Sequence, residues 1–229
     1  MNSVLIIQGP LYKKCIDNII TMCRDFPCII STWDNEDQTS IDTLKLYALD
    51  VILNKQPEYN GIQNINYVTC SIQSGLARAE MLGYTHALRF RTDIFCPTIK
   101  EFISVFENES IDKLVGLCWF NHYEPSYGHP HGYIMDHVIF GPIDKLLMYY
   151  YPVQDKGDKR HSETFFQDSY FKKSPVAYED VKNIFCFVLN KLIDCNMQIY
   201  YTGKTPDMDH DMLKHYNHII HRCIGTTTT

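Results

Sequence analysis

The 229-residue sequence lacks any apolar run that approaches the length of a membrane-spanning helix, so we expect no membrane span. It also lacks an excess of positive charge, because 27 Asp and Glu outnumber 21 Lys and Arg and the net charge is -6. General binders of nucleic acid or of anionic membranes need a basic surface, so we expect neither partner. A local basic pocket is still compatible with this charge.

The nine cysteines form no Cys-x-x-Cys pair, which excludes the zinc and redox sites built on that spacing. Their number is odd, several lie in apolar runs, and Met1–Leu5 shows no signal-peptide pattern. We therefore expect free, buried thiols in a reducing compartment, and so a soluble protein of the cytoplasm.

Several motifs of nucleotide-binding proteins and hydrolases are also missing. No Gly-x-Gly-x-x-Gly follows the first apolar run, which argues against a dinucleotide fold, and neither Gly-x-Ser-x-Gly nor His-Glu-x-x-His occurs. Gly203-Lys204-Thr205 resembles the end of a phosphate-binding loop, but Gln198 stands where the first glycine of that loop belongs. His215, His218 and His221 recur at helical intervals, which is more typical of a solvated helix face than of a zinc site.

Short apolar runs alternate with helical patterns through the first part of the chain. Strands are expected at Val4–Ile7, Pro27–Trp33, Val51–Leu53 and Thr85–Phe90, with helices at Leu11–Arg24, at Thr39–Ala48 and from Asn64 or Asn66 to Gly83. This order predicts parallel strands with helices on both faces. The fold class is therefore α/β, a Rossmann-like single domain with a mostly parallel central sheet.

The alternation becomes less regular after Asp93. We expect a helix that opens with a Thr98–Glu101 capping box, and strands at Leu114–Phe120 and Tyr133–Phe140 around a surface loop at Asn121–Gly132. Further helices are expected at Ser162–Phe171 and Val181–Asp194, then a strand at Gln198–Tyr201 and a His-rich tail, Asp207–Arg222, with a helical pattern.

Three strand ends of the first part carry polar residues, at Gln8-Gly9-Pro10, Ser31–Asp34 and Arg89–Asp93. Ligands of an open parallel sheet bind at this carboxyl edge, beside the loops that lead into helices. Gly9 allows close approach of the backbone to a ligand. Asp34 can accept a hydrogen bond from a ribose hydroxyl or a base N–H, although capping of the next turn is an equally ordinary role for it.

Arg91-Thr92-Asp93 is the most informative of these segments. Strand alternation predicts that Arg89 and Arg91 share one face of the sheet. A carboxylate beside two guanidinium groups suits Mg²⁺ or Mn²⁺ on a diphosphate, because such ions keep several waters and need only one or two protein ligands. The alternative is an Asp93 that caps the next turn and pairs with Arg91.

Five segments in this order carry a resemblance to a known family: Val4–Leu11, Ser31-Thr32-Trp33, the helix from Asn66 through Gly75-Leu76, Leu88–Asp93 and Asp136–Gly141. The chain resembles the GT-A glycosyltransferases, specifically the WavE-type lipopolysaccharide-synthesis family and the capsid-glycosylating transferases of large algal DNA viruses. The matching segments lie in about the first two thirds of the chain.

The resemblance implies a GT-A fold with a nucleotide-binding half (1–96), an acceptor half (97–205) and a C-terminal tail (206–229). It implies metal-dependent transfer of a sugar from a nucleotide-sugar, usually a UDP-sugar, to a glycan or glycoprotein acceptor. The location would be the host cytoplasm if the chain is viral.

The same resemblance implies site residues. Those expected around the nucleotide are Gln8, Gly9, Pro10, Leu11, Thr32, Asp34, Asn66, Arg91, Thr92, Gly203 and Lys204. Asp93 is the implied metal ligand, because Arg91-Thr92-Asp93 stands where the family has Asp-x-Asp, and Arg91 leaves no second carboxylate there. His210 would complete the metal shell from the C-terminus, and Lys204 would stabilise the departing diphosphate.

Glycosyl transfer also needs a carboxylate near the anomeric carbon, which takes the proton of the acceptor or stabilises oxocarbenium character. The candidates are Asp136, Glu163 and Asp168, each of which could instead be a cap or a surface carboxylate. His129–Tyr133 and Trp119–Tyr123 are expected to border the acceptor.

Two other functions stay open. One is a nucleotidyltransferase that makes the sugar nucleotide, which would normally carry a Gly-rich basic loop after the first strand. The other is a non-catalytic module that binds a nucleotide or a sugar.

Overall fold

The computed structural model describes residues 1–109, 112–117, 119–120, 133–188, 198–200 and 209–211. The strands are β1 (Ser3–Gln8), β2 (Cys28–Trp33), β3 (Asp50–Asn54), β4 (His86–Arg91), β5 (Ile94–Phe95), β6 (Leu114–Gly116), β7 (Trp119–Phe120), β8 (Tyr133–Ile134), β9 (Ile139–Pro142), β10 (Phe185–Phe187), β11 (Gln198–Tyr200) and β12 (Asp209–Asp211). The α-helices are α1 (Ile16–Asp25), α2 (Gln38–Lys45), α3 (Ile65–Met81), α4 (Ile99–Glu109), α5 (Ile143–Tyr149), α6 (Ser162–Phe171) and α7 (Tyr178–Val181).

A seven-stranded sheet in the order β10-β6-β9-β4-β1-β2-β3 forms the centre of the protein. β1 pairs in parallel with β2 and with β4, β2 with β3, and β10 with β6, whereas β9 is antiparallel to both of its neighbours. Gln8 is in register with both Ser31 and Arg91, so three strands end together at one edge. The predicted α/β fold class, with a mostly parallel sheet, is confirmed.

Different helices cover the two faces of the sheet. In β1, Leu5 and Ile7 join the apolar cluster with α1, α2 and α4, while Val4 and Ile6 join the cluster with α3, α5 and α6. Because alternate residues of a strand point to opposite faces, a strand buried on both sides must be apolar throughout. That requirement explains the unbroken apolar run that predicts β1.

The helix α3 approaches the sheet closely at Gly75. A Cβ at this position would lie 2.6 Å from Ile6 Cγ2, and Ile6 is 0% exposed. Gly75→Val is therefore expected to lower the free energy of unfolding by about 1–3 kcal/mol, the usual cost of overpacking a core. Gly157→Val is the control, because nothing lies within 4 Å of a Cβ at Gly157. Denaturant unfolding of both variants is the measurement, and equal stabilities would contradict the close approach.

The predicted helix at Val181–Asp194 is wrong over its described part. α7 ends at Val181, and Phe185–Phe187 form β10, which pairs in parallel with β6. Pairing with β6 satisfies backbone groups at the edge of the sheet and buries Phe185, and these long-range gains outweigh a local helical pattern. Residues 189–194 lie outside the described part.

Two predicted strands are each divided in two. Leu114–Phe120 contains β6 and β7, and Tyr133–Phe140 contains β8 and the first residues of β9. β6 and β9 belong to the central sheet, whereas β7 and β8 pair with each other. This division leaves Met135–Val138 as an irregular segment between β8 and β9. The predicted loop at Asn121–Gly132 lies outside the described residues.

A third, small sheet has the order β12-β11-β5, so that described residues near the C-terminus return to the chain just after Asp93. β11 confirms the predicted strand at Gln198–Tyr201. Asp209–Asp211 form β12, so the helical pattern of the tail is wrong for these residues, and the rest of Asp207–Arg222 is not described. The division of the chain at 96 and 205 stays a prediction.

The cysteines that the structure describes with their side chains are free thiols, as expected. Cys15, Cys23, Cys28 and Cys96 are buried, and Cys70 and Cys186 are half-buried. Over the same described ranges, no helix combines the length and the apolar character that crossing a bilayer requires.

Candidate active site

A cavity of about 640 Å³ opens at the edge where β1, β2 and β4 end. This volume is within the range of small-ligand pockets. Besides the strand ends, its wall contains the turn before α3, the segment between β8 and β9, and the start of α6. The cavity therefore combines residues from distant parts of the chain.

The turn after β1 brings the backbone to the cavity. Gly9 has a φ of 122°, a conformation that favours glycine. Thr32 Oγ1 donates a hydrogen bond to Gly9 O at 2.9 Å, and Thr92 Oγ1 donates to Pro10 O at 2.6 Å. The hydroxyls of the two neighbouring strand ends thus hold the turn in place, with Gly9, Pro10, Thr92 and Gln8 in the cavity wall.

Aromatic and amide side chains line the part of the cavity next to β2. The rings of Trp33 and Tyr67 lie 5.0 Å apart between centroids, at an angle of 53°. Asn35, Gln56 and Glu36 lie beside them in the wall, and Gln56 Nε2 is 3.4 Å from Asn35 Oδ1. Burial raises the pKa of Glu36. An aromatic surface next to amide groups suits a planar base with polar edges.

Asp93 follows β4 and is paired with Arg91. The carboxylate accepts two hydrogen bonds, from Arg91 Nε to Oδ1 at 2.9 Å and from Arg91 Nη2 to Oδ2 at 2.6 Å. The Asp93 side chain is 4% exposed, whereas that of Arg91 is 31% exposed. Asp93 is therefore enclosed in the wall, whereas the side chain of Arg91 is partly open to solvent.

The position of Asp93 fits one ligand of a divalent cation. A carboxylate offers about four lone-pair sites, so two bonds from Arg91 leave further acceptor capacity. A hard cation that also binds a diphosphate and waters needs only one or two protein oxygens. The Asp93 carboxylate can fill that role, more fully once Arg91 has turned away.

The backbone of His210, the predicted second metal ligand, lies on the third sheet. Ile199 of β11 is in register with both His210 of β12 and Ile94 of β5. His210 is thus two strands, about 10 Å, from the residue that follows Asp93. Its side chain lies outside what the structure describes.

A second group of ionisable residues consists of Asp136, His137 and Glu163. One ligand atom from each lies within 4.8 Å of the others. Arg89, which is 1% exposed, reaches this group from β4: its Nη1 is 3.4 Å from Asp136 Oδ2, and its guanidinium lies over the Tyr150 ring at 5.4 Å. The expectation that Arg89 and Arg91 share one face of the sheet agrees with their common position in the cavity wall.

The buried Arg89 argues against a metal ion in this second group. A divalent ion about 5 Å from a guanidinium is repelled by about 7 kcal/mol at an effective dielectric constant of 20. Arg91 is partly exposed, whereas Arg89 is almost fully buried beside Asp136. The charge of Arg89 therefore disfavours a divalent ion at this group.

Burial and the charge of Asp136 raise the pKa of Glu163 to about 7. The hydrogen bond from Ser162 and the charge of Arg89 act in the opposite direction. A carboxyl group that titrates near neutral pH can take up and release a proton under physiological conditions. Glu163 is thus the described cavity residue best suited to general acid–base chemistry.

Four predicted nucleotide contacts, Leu11, Thr32, Asp34 and Asn66, are described but are not part of the cavity wall. Asn66 joins two loops, because its Nδ2 donates to Tyr59 O and Gln154 O while its Oδ1 accepts from Gln154 N. Asp34 is exposed, and its backbone N–H donates to Asn54 O at 2.9 Å. Roles in ligand binding for these residues stay predictions.

Asp168 lies apart from Asp136 and Glu163. Its Oδ2 is 3.6 Å from Arg160 Nη1, burial raises its pKa, and it is not in the cavity wall. Gly203 and Lys204 lie outside the described residues. The catalytic role of Asp168 and the diphosphate contacts of Gly203 and Lys204 stay predictions.

Several residues of the wall have no functional role in the sequence analysis, among them His137, Gln63 and Ser162. His137 could have been found from its position next to Asp136. Gln63 gives no such signal, because it reaches the cavity through a left-handed backbone at Gln63 and Asn64, with φ of 54° and 61°. Such strain in residues other than glycine is commonly found at functional sites.

No profile of a known protein family matches the sequence, and no curated protein matches it. Solved structures do resemble the chain. A glycosyltransferase involved in the glycosylation of the major capsid of PBCV-1 has a TM-score of 0.48 at 10% identity, over 89% of this chain and 94% of that one.

Two further structures have similar scores. The 4-diphosphocytidyl-2C-methyl-D-erythritol synthase of Anaerococcus prevotii has a TM-score of 0.47 at 9% identity, over 95% and 98% of the two chains. Core-mannan synthase A of Aspergillus fumigatus, in its Mn/GDP form, has a TM-score of 0.41 at 9% identity, over 96% and 85%. These scores are low, so the function proposed below rests on the residues of this chain.

Proposed function

We propose that the protein is a metal-dependent glycosyltransferase that moves a sugar from a nucleotide-sugar, a UDP-sugar in the first instance, to a glycan or glycoprotein acceptor. The observation that carries the proposal is a single cavity that contains the Arg91–Asp93 pair together with Asp136 and Glu163. A cytoplasmic location, in the host cell if the chain is viral, belongs to the same proposal.

The order of groups across the sheet supports a nucleotide-sugar. Trp33 lies on β2, Gly9 follows β1, Asp93 follows β4, and Asp136 precedes β9, and these four strands are consecutive neighbours. A ligand along this edge would meet an aromatic surface, then a backbone turn and a carboxylate with guanidinium groups, then two acidic side chains. A base, a diphosphate and a sugar have complementary chemistry in that order.

Arg91 and Asp93 would bind the diphosphate. When phosphate oxygens reach the cavity, Arg91 can exchange its bonds with Asp93 for bidentate bonds to phosphate. That exchange would release the Asp93 carboxylate for Mg²⁺ or Mn²⁺, with His210 proposed as a further ligand and Lys204 as a further diphosphate contact from the resemblance alone. A bound ion would neutralise charge that develops on the departing diphosphate.

Glu163 and Asp136 would act on the sugar side. Glu163 would take the proton of the acceptor hydroxyl as the oxygen bonds to the anomeric carbon, and the electron pair of the broken C1–O bond would leave with the diphosphate. Asp136, next to Arg89 at 3.4 Å, would stabilise positive character at the anomeric carbon.

UDP and Mn²⁺ together are expected to stabilise the protein far more than either alone. At a hundredfold excess over the dissociation constant, a ligand adds about 2.7 kcal/mol to the free energy of unfolding. Mn²⁺ alone should have little effect on the free energy of unfolding, because both oxygens of Asp93 accept hydrogen bonds from Arg91 until phosphate is present. Thermal unfolding with each ligand, with both and with neither is the measurement, and a shift by UDP that ignores Mn²⁺ would contradict the metal assignment.

The reaction products distinguish the three functions that the sequence leaves open: a glycosyltransferase, a nucleotidyltransferase and a non-catalytic binding module. A glycosyltransferase should release UDP slowly from its own UDP-sugar by hydrolysis, and a screen of UDP-sugars also identifies the donor. A nucleotidyltransferase would instead release pyrophosphate from UTP and a sugar phosphate, and a binding module would release neither.

A further inference from the structure

The hydroxyl of Ser162 has two possible acceptors. Ser162 Oγ lies 2.7 Å from Glu163 Oε2 and 2.9 Å from Gln63 Oε1. Gln63 Oε1 also accepts from the backbone N–H of Ser162 at 3.2 Å. Since a hydroxyl carries one proton and can also accept, Ser162 donates to only one of these oxygens at a time.

Each protonation state of Glu163 has a complete set of hydrogen bonds in this arrangement. When Glu163 is ionised, the Ser162 hydroxyl donates to its carboxylate. Gln63 Oε1 then still accepts a hydrogen bond from the backbone N–H of Ser162. When Glu163 is protonated, its own O–H donates to Ser162 Oγ, and the Ser162 hydroxyl turns to donate to Gln63. Ser162 Oγ, Gln63 Oε1 and Glu163 Oε2 each keep a partner in both states, which avoids a penalty of about 1–3 kcal/mol for an unpaired buried group.

We propose that Ser162 and Gln63 are positioning residues that let Glu163 gain and lose a proton by exchanging hydrogen bonds within the cavity wall. The identity of Glu163 as the proton acceptor in sugar transfer rests on the proposed function. The exchange of hydrogen bonds does not, and it can be measured without substrate.

The backbone around Gln63 holds its amide in place. Gln63 belongs to a short 3₁₀ turn, Ile62–Asn64, before α3, and its left-handed φ of 54° is strained for a residue other than glycine. Ile62 N–H donates to Gln154 Oε1 at 2.7 Å, and Gln154 Nε2 donates to Arg160 O at 2.5 Å. The turn is thus tied to the loop that leads into α6, where Ser162 lies.

Among the described residues, the charged and titratable groups near Glu163 come from several elements. They are Asp136 and His137 before β9, Arg89 on β4, and Tyr149 and Tyr150 at the end of α5. Asp136 raises the pKa of Glu163 and Arg89 lowers it. Asp136 and Arg89 change the pKa of Glu163 through their charge, whereas Ser162 and Gln63 change it through the hydrogen bonds that each state makes.

Two substitutions are expected to shift the pKa of Glu163 in opposite directions. Ser162→Ala removes the donor to the ionised carboxylate, so the pKa should rise above about 7. Gln63→Met removes the acceptor that the protonated state needs and leaves Ser162 to donate to Glu163 alone, so the pKa should fall. Each shift should be about half to one pH unit, the equivalent of one hydrogen bond.

The measurement is a pH titration of the glutamate carboxyl carbons by ¹³C NMR in the full chain without ligand. The Glu163 signal is identified by its absence in Glu163→Gln. Ser162→Thr keeps the hydroxyl and should return the pKa to the parent value. Gln38→Met is the control for the loss of an amide, because Gln38 is exposed and bonds only Asp42 among the contacts described for it.

Opposite shifts, with recovery in Ser162→Thr, would support the proposal. Shifts in the same direction, or none in either folded variant, would overturn it. If Ser162→Ala does not fold, Ser162→Cys replaces it, and this weaker donor should give a smaller rise. If no nucleotide binds but the two pKa shifts are still opposite, the proposed function is rejected. The proposed exchange of hydrogen bonds is supported in that case.

Discussion

Asp93→Asn is expected to abolish the Mn²⁺-dependent stabilisation by UDP and to lower sugar transfer by about a thousandfold. The amide keeps the shape of the side chain but loses the charge that would attract the cation. It also offers one acceptor oxygen instead of the two that now bind Arg91 at 2.6 and 2.9 Å. Thermal unfolding with UDP and Mn²⁺, followed by an assay of UDP release, measures both effects.

Asp50→Asn is the matched control for this substitution. Asp50 pairs with Arg78 at 2.6 Å at a partly exposed position outside the cavity wall, so the ligand response should be unchanged. Arg91→Met is the complementary variant: Asp93 loses its partner, so Mn²⁺ alone should bind more tightly than in the parent while UDP binds more weakly. A Mn²⁺-dependent response that survived in Asp93→Asn would remove Asp93 from the proposed site.

Glu163→Gln is expected to lower sugar transfer by about a hundredfold to ten-thousandfold, the usual contribution of a general base. Transfer by the parent protein should rise as the pH passes about 7, because Glu163 must be ionised to take a proton. The residual activity of Glu163→Gln should not follow that rise. A pH–rate profile of both proteins is the measurement, and parallel profiles would assign the base to another group.

The same substitution should change how stability depends on pH. The pKa of Glu163 is raised from 4.5 to about 7 in the folded protein, so between these values the folded state holds a proton that the unfolded state has released. Stability therefore falls as the pH rises through this window. Glu163→Gln has no such loss and should be the more stable protein above pH 7, by up to about 3 kcal/mol.

Denaturant unfolding at a series of pH values tests this expectation. Asp42→Asn is the control, because Asp42 is exposed and its pKa is lowered from 3.8, outside the window. The curves for Asp42→Asn and the parent should stay parallel between pH 4.5 and 7, while the curve for Glu163→Gln should diverge from both. A Glu163→Gln curve parallel to the parent would mean that Glu163 is ionised throughout.

Most of the fold before Asp93 could be predicted because the information that determines it is local. β1 contains the unbroken apolar run Val4–Ile7, β2 and β4 are apolar before their polar carboxyl ends, and the helices between them show amphipathic spacing. The errors arise where pairing with distant strands decides the structure. Phe185–Phe187 are helical by pattern but pair with β6, and the apolar stretch Tyr133–Phe140 divides because β8 pairs with β7 instead of continuing in the central sheet.

The candidate site shows the same difference between local and long-range information. Gly9 and Asp93 are identifiable because polar residues at the ends of buried strands stand out. Asn66 lies on α3 and is a predicted contact only through the resemblance. Its amide bonds Tyr59 and Gln154, and a single sequence does not distinguish a ligand contact from such a structural hydrogen bond. Gln63 and Ser162 are not identifiable, because their contact depends on a left-handed turn and on a partner far along the chain.

The contact between Gln63 and Ser162 joins residues 99 positions apart, and the amide of Asn66 bonds Gln154 across 88 positions. A chimera that took its second half from a relative with another acceptor would separate both pairs, even with the cut placed in a surface loop. Such an exchange would need to transfer the segment around residues 61–66 together with the incoming half. The unit that can be recombined is therefore two separate stretches of chain, which a single crossover would not transfer together.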